Sequence, residues 1–413
     1  MSKRHVVIAG GGFAAWCLAR ALDRELESSG ALEATVVCPG ACAPLSPWTH
    51  EVLGGRLHAE QAVVPWGDAL RRVRVVIGRV TRVDAGAQSV VVDGPGVRTG
   101  SEPRAQRYDE LVLATGLDPM PRGASGAAEL ALSLRGPAGA MALRTRLLEA
   151  LEAACGEESA RRRKALLSVG VVGSDERAVS AAVEIARLLR ATASFFPRVL
   201  PEDPRVLLLS PQENPCGAWG EASSHFVRDH LQRAGVELRA GGAVAQVEAD
   251  RVEWQPSQGA REPLEIRTVV WTMSEGPRAP LSSWTGATWQ AGRVRVDELL
   301  RIEGTQLVHA LGDCAAHPVT ASTPAAIRRQ AQWLACSMVR RARGQAVTAL
   351  AGPPRIDPVS LGGGAGIARV GTRTICGATA GWLARAAVRA VVPGIGRRAA
   401  LCAWDLIEPL GVR

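Results

Sequence analysis

The chain has 413 residues, 47% apolar and 22% charged, with a formal net charge of +9; such a composition excludes a disordered or collagen-like chain and predicts a folded protein of two or three domains. The basic balance admits nucleic acid, an anionic membrane surface or an acidic cofactor as partner. Nine scattered cysteines with no Cys-x-x-Cys spacing argue against a disulfide framework or a zinc site, so no metal is expected, and no apolar run is long enough to span a bilayer.

In chain order, Val6 to Ala9 run straight into Gly10, Gly11 and Gly12, after which a helical pattern begins. This reads as strand, tight turn, helix. Gly10, Gly12 and Ala15 match the dinucleotide fingerprint Gly-x-Gly-x-x-Gly/Ala: the first glycine permits the turn, the second admits a pyrophosphate to the backbone, and the small third residue lets helix pack on strand. The phosphates then sit on the free N–H groups and positive end of the helix. With the strand starting by residue 5, a signal peptide's apolar core has no room, and a cytoplasmic protein is expected. A second strand, Ala34 to Cys38, ends on Cys38 where a carboxylate normally meets the adenosine ribose, so that contact is missing or made otherwise. Pro44 to Gly55 reads as a loop entering a short helix, residues 73 to 96 as an antiparallel meander, and Tyr108 to Gly116 as a buried strand ending in a sharp turn. Residues 119 to 137 suggest a connection between domains, a helix follows from Ala142 to Ala154, and Arg161 to Lys164 form a solvated basic patch.

The pattern then repeats. Leu166 to Gly173 is a strand and turn, Ser174 to Ala186 a helix, Arg205 to Leu209 a strand. A helix (Ser223 to Ala234), a meander (Val236 to Trp254) and a strand (Arg267 to Thr272) complete the repeat. Leu307 to Asp313 is a strand ending on a carboxylate, and a helix covers Thr323 to Arg341.

The order of these units resembles the two-dinucleotide flavoprotein reductases. Glu51 to Gly55, Arg144, Val270 to Thr272, Gly292 to Asp297, Gly312 to Ala315 and Ser360 to Gly366 narrow the resemblance to the type II NADH dehydrogenases. That resemblance covers nearly the whole chain. It implies an α/β fold of two Rossmann-like dinucleotide-binding domains with antiparallel meanders and a short C-terminal amphipathic helical region. The expected boundaries are 1–130 and 291–350 for the FAD-binding domain, 131–290 for the NAD(P)-binding-like domain, and 351–413 for a membrane-surface or dimerisation region. It further implies an FAD-dependent oxidoreductase passing electrons from a reduced donor to a quinone-like acceptor, with Gly10, Gly12, Phe13, Ala14, Ala15 and Cys38 lining the cofactor's pyrophosphate and ribose. Thr115 and Gly116 close that side, Gly312 and Asp313 meet the ribityl or pyrophosphate end, Pro47 lies beside the flavin ring, and the helix beginning near Ala326 aims its dipole at the pyrimidine edge.

The donor site departs from the family pattern. Gly173, Asp175 and Ala178 fall on the second fingerprint, and Asp175 puts a carboxylate where a phosphate approaches the backbone, a conflict on the order of several kcal/mol in a partly desolvated site. Ser180 replaces a helix glutamate, the strand ending at Ser210 offers no carboxylate to a ribose, and Ser274 replaces a glycine. NAD(P)H use is therefore in question, and the alternative is a flavoprotein whose NAD(P)H site is lost or remodelled, acting on another substrate or serving as a binding or regulatory protein. On the acceptor side, Gln330 survives while Ile327 and Trp333 reshape the quinone pocket; Arg328 and Arg329 read as surface charges. From Pro353 onward the chain is basic. Arg385 and Arg389 form one helical stripe opposite an apolar arc, and Arg397 and Arg398 precede Trp404, Leu406 and Ile407, as in a helix lying in a membrane surface; packing on the flavin domain or on a second copy is the alternative. No nucleic-acid motif is present.

Overall fold

Val6, Val7, Ile8 and Ala9 are each at most 1% exposed, as in a strand of a parallel sheet covered on both faces. In the computed structural model, which describes residues 3–27, 30–94, 104–118, 123–273, 276–284 and 287–394, the strand Arg4–Ala9 lies at the centre of a five-stranded sheet. Its spatial order is Val308–Ala310, Glu110–Leu113, Arg4–Ala9, Leu32–Cys38, Arg74–Ile77, with every neighbouring pair parallel. Ile8 stands opposite Val36 on one side and Val112 on the other. The chain thus reverses its winding at the first strand, which opens a crevice at that strand's carboxyl end.

A second five-stranded sheet repeats the design in the order Leu132–Ser133, Thr268–Trp271, Ser168–Val172, Arg205–Ser210, Val236–Ala240, again all parallel. Each central strand leads into a glycine turn and a helix: Phe13–Glu25 in the first unit, Glu176–Ala193 in the second. The structure has two Rossmann-like units of mixed α/β architecture. The short strands Leu117–Asp118 and Gly276–Pro277 pair antiparallel between them, and Asp118 accepts from Arg135 Nη1 at 2.6 Å and Arg278 Nε at 2.5 Å.

Two expectations from the sequence are corrected. Val75, Val76 and Ile77 belong to the parallel sheet, paired with Val36 to Cys38; the meander is Arg79–Asp84, Ser89–Asp93 and Arg104–Arg107. Val236–Ala240 is likewise a parallel edge strand, and the second meander is Gly242–Val247, Val252–Pro256 and Glu262–Leu264. In both places only one residue separates the edge strand from the meander, so a periodicity of two runs on while the partner changes.

The C-terminal part contains a three-stranded antiparallel sheet, Ile356–Gly362, Ala365–Val370 and Arg373–Gly377, followed by the helix Ala378–Arg389. Gly362, Gly363 and Gly364 turn the first strand into the second with φ of +75°, +60° and +81°, three left-handed residues in a row that only glycine adopts readily. The helix packs Ala380, Gly381, Ala384 and Val388 inward, and Trp16 Nε1 donates to Val391 O at 3.1 Å just beyond it. Arg389 is only 7% exposed and Arg385 is close enough to lower the pKa of the buried Glu51. The helix has one buried and one exposed face as expected, but the arginine stripe lies toward the body of the protein, and the exposed side carries Trp382 and Ala390. Arg397, Arg398, Trp404, Leu406 and Ile407 lie outside the described residues.

Candidate functional site

The crevice at the end of the first sheet is shaped by glycine. Gly10 has φ +146°, and a Cβ there would lie 2.2 Å from Ala114 O, so helix and strand meet at the closest approach the backbone allows. A Cβ on Gly12 would meet nothing within 4 Å. Gly12 is the N-cap of the Phe13–Glu25 helix and has no side chain to cap it, leaving the first-turn N–H groups and the positive end of the helix facing open space. Ala15 is fully buried and Phe13 5% exposed. Across the crevice Gly312 (φ +81°) comes so near that its Cβ would lie 2.6 Å from Ala14 Cβ. Thr115 Oγ1 is buried with no hydrogen-bond partner, an unsatisfied hydroxyl of the kind a ligand completes; Gly116 follows at φ +69°. Asp313 is 39% exposed at the same mouth. These features fit a dinucleotide.

Three other expected cofactor residues differ in character. Cys38 is fully buried and turns its thiol to Gly40 O at 3.4 Å and Val76 O at 3.8 Å, and burial pushes its pKa up to about 11. Pro47 sits in a single turn of 3-10 helix, Ser46–Trp48. Ala326 is 1% exposed in the first turn of the Pro324–Ala342 helix, where its N–H donates to the Thr323 hydroxyl at 3.2 Å.

At the second fingerprint the architecture is kept, and the helix that follows it is capped by a carboxylate. Gly173 has φ +155°, with Ala178 Cβ 2.9 Å from where its own Cβ would be. Asp175 caps the Glu176–Ala193 helix: its Oδ1 accepts from Ala178 N at 3.0 Å, and its Oδ2 accepts from Arg177 Nε at 2.8 Å and lies 2.7 Å from Arg177 Nη2. Arg177 Nη1 is in turn 3.8 Å from Asp313 Oδ2. The charge of Asp175 foremost, then those of Asp313 and Glu176, raises the Arg177 pKa. Glu176 lies half-buried in this cleft, and burial together with the charge of Asp175 lifts its pKa to about 7. Ser180 is buried and donates to Arg177 O at 3.1 Å, and Ser210, at the end of its strand, donates to Gln212 O at 2.6 Å. Ser274 lies outside the described residues.

A buried charge network joins the units, in which Glu51 and Arg144, quoted above only for the resemblance, meet Arg56 and Glu184. Glu51, on the short helix Thr49–Leu53, is 2% exposed and Glu184 1%; Arg56 Nε lies 3.9 Å from the first and 3.8 Å from the second. Burial raises the Glu51 pKa, but the hydrogen bond from His50 and the charges of His50, Arg56 and Arg385 outweigh it and hold it at about 2. Arg144 Nη1 donates to Leu53 O at 2.9 Å beside them. Glutamates in a helix and after a loop carry no signal in sequence that they will share one arginine.

Of the acceptor residues, Ile327 lies within 3.9 Å of the space before Gly312, and Gln330 is 2% exposed with Nε2 donating to Thr320 Oγ1 at 2.6 Å. Trp333 is about 240° further round the helix from Ile327 and donates to Thr348 O at 3.2 Å, so the structure does not bring it to the same place. Among the described residues no helix is long and apolar enough to cross a membrane.

Comparisons with known proteins agree with this geometry. The chain is 28% identical over 323 residues to the type II NADH:quinone oxidoreductase Ndh of Mycobacterium tuberculosis, covering 76% of this chain and 68% of that one. It is 25% identical to an external alternative NAD(P)H-ubiquinone oxidoreductase (B4, mitochondrial) of Arabidopsis thaliana, where the match spans 76% of this chain but only 54% of the relative. Its fold superimposes on the NDH2 structure from Plasmodium falciparum in complex with NADH with a TM-score of 0.84 at 13% identity, over 99% of this chain and 98% of that one. The family profile described as pyridine nucleotide-disulphide oxidoreductase matches residues 4–331, and the chain, with its two fingerprint turns on two parallel sheets, belongs to that family of oxidoreductases.

Proposed function

We propose that the protein is an FAD-dependent oxidoreductase of the type II NADH:quinone kind, passing electrons from a reduced donor to a quinone-like acceptor at a membrane surface. The observation that carries the reading is the end of the first sheet, which brings together the open Gly12 turn, the unsatisfied Thr115 hydroxyl and the partly exposed Asp313. FAD, when bound, supplies the hydride and electron chemistry that no side chain here provides. The chain's own part is to bind and orient: the first-turn N–H groups after Gly12 hold phosphate, the Thr115 hydroxyl closes that side, the Asp313 carboxylate accepts at the ribityl or pyrophosphate end, and the capped start of the Pro324–Ala342 helix presents its positive end. Ile327 and Gln330 are the residues we assign to the acceptor side. On the exposed side of the C-terminal helix, Trp382 is 54% exposed, which suits contact with a membrane surface.

The experiment is anaerobic addition of NADH to the purified protein. Bleaching of a flavin's visible absorbance supports the reading; a protein that carries no flavin and takes none up on reconstitution overturns it. A second reading, in which the NAD(P)H site has been remodelled for another donor or for regulation, is favoured by Asp175, whose carboxylate occupies the helix end that a pyrophosphate would need. Micromolar NADH binding by calorimetry would remove it.

A further inference from the structure

We propose that Arg177, a residue of the second unit, is a ligand of the flavin dinucleotide held by the first unit. The start of the second fingerprint helix thereby helps to hold its neighbour's dinucleotide. The inference rests on the FAD reading above and adds to it a contact made across the two units.

The geometry runs in three steps. Asp175 is immobilised as a helix cap by Ala178 N–H at 3.0 Å. Its other oxygen lies 2.8 Å from Arg177 Nε and 2.7 Å from Nη2, a two-pronged pair that sets the plane of the guanidinium. The remaining nitrogen, Nη1, is delivered to Asp313 Oδ2 at 3.8 Å, on the far side of the cleft. Asp313 is the carboxylate the first unit offers to the ribityl–pyrophosphate segment, and a carboxylate beside a diphosphate brings like charges together. A cation is needed there. Arg135 and Arg278 donate to Asp118 at 2.6 and 2.5 Å, whereas Arg177, 45% exposed, is the arginine that comes within 4 Å of Asp313 among the described residues.

Two departures from the fingerprint then share one explanation. At Cys38 the first unit has lost its ribose carboxylate, and the buried thiol is spent on Gly40 O; a guanidinium supplied near the phosphates offsets that loss from the other end of the same ligand. At position 175 a glycine would leave the helix end open for a second dinucleotide but could not hold Arg177. Asp175 is accordingly a positioning residue and Arg177 the contacting one.

The test is titration of the flavin-free full chain with FAD, followed by quenching of flavin fluorescence, for the wild type, R177Q, R177K and D175N. R177Q should weaken FAD binding about tenfold, ~1.4 kcal/mol. R177K, which keeps the charge without the planar fork, should lose less, and D175N, which keeps a capping side chain but loosens the arginine, should fall between. The gap between wild type and R177Q should narrow at 1 M salt. R177Q binding FAD within twofold of the wild type at low salt overturns the proposal while leaving the FAD reading intact; a wild-type chain that binds no FAD overturns both. Should R177Q fail to fold, R177K and D175N decide, and wild-type affinity in both of them overturns it.

Discussion

Glu184, on the helix of the second unit, accepts the backbone N–H of Gly363 at 2.8 Å, so the triple-glycine turn of the C-terminal sheet is fastened to the second fingerprint helix by a carboxylate that is 1% exposed. His230 Nε2 makes a second tie to the same turn, 3.2 Å from Gly362 O. Removing one partner from a buried charge network leaves the others uncompensated, a loss of about 3–5 kcal/mol. Glu184→Ala should therefore lower stability by roughly that much, and Glu184→Gln, which still accepts the bond, by about 1 kcal/mol. Urea unfolding of the two variants measures the difference; equal midpoints for Glu184→Ala and wild type would sink the assignment.

A second buried carboxylate governs the acid side. Glu110 (3% side-chain exposure) lies 2.5 Å from Arg341 Nη2 and 3.3 Å from His309 Nε2. Burial raises its pKa, but the hydrogen bonds from His309 and Arg341 and their charges bring it down to about 2, as happens at Glu51. A carboxylate with a depressed folded-state pKa stabilises the fold above its unfolded value of 4.5 and loses that stabilisation as pH falls towards 2. Wild-type stability should fall over this window, and Glu110→Gln should fall less steeply. Parallel pH dependences for the two proteins would exclude Glu110 as a source.

Glu176 has the opposite sign. Its pKa is lifted from 4.5 to about 7, so the folded state holds a proton that the unfolded chain releases, and the associated stabilisation is complete below 4.5 and lost as pH rises through 7. Glu176→Gln should flatten the decline in thermal stability between pH 5 and roughly 8. An unchanged slope in that variant counts against the cleft environment described above.

The two fingerprint glycines should respond differently to the same change. Gly10→Ala places a Cβ against Ala114 O in a left-handed backbone and should lower stability by on the order of 1–3 kcal/mol or more. Gly12→Ala meets no described atom within 4 Å, so the flavin-free protein should unfold as the wild type does, while FAD affinity drops because the methyl enters the space a pyrophosphate needs. Thermal melts and FAD titration separate the two effects.

If the exposed side of the C-terminal helix meets lipid, Trp382→Ser should reduce co-sedimentation with anionic vesicles several-fold, since the indole supplies much of the apolar area available to bury there. Full retention of vesicle binding in that variant removes the helix from the membrane contact.

The sequence by itself determined the two strand–turn–helix units, because uninterrupted β-branched runs meeting glycine turns leave a backbone few alternatives. It also determined where the pattern departs, at Cys38, Asp175 and Ser180, since those are single positions in a spaced motif. It did not determine which strand pairs with which at the edges: Val75 to Ile77 and Val236 to Ala240 have the period of a strand, and only tertiary packing made them parallel edges. Nor did it show that Arg385 and Arg389 turn inward, because helical periodicity defines a face without saying what covers it. The relation of Arg177 to Asp313, 136 positions apart, and the sharing of Arg56 by Glu51 and Glu184 were decided by the tertiary structure alone, because a charge pair across two folded units leaves no local pattern in either segment that contributes to it.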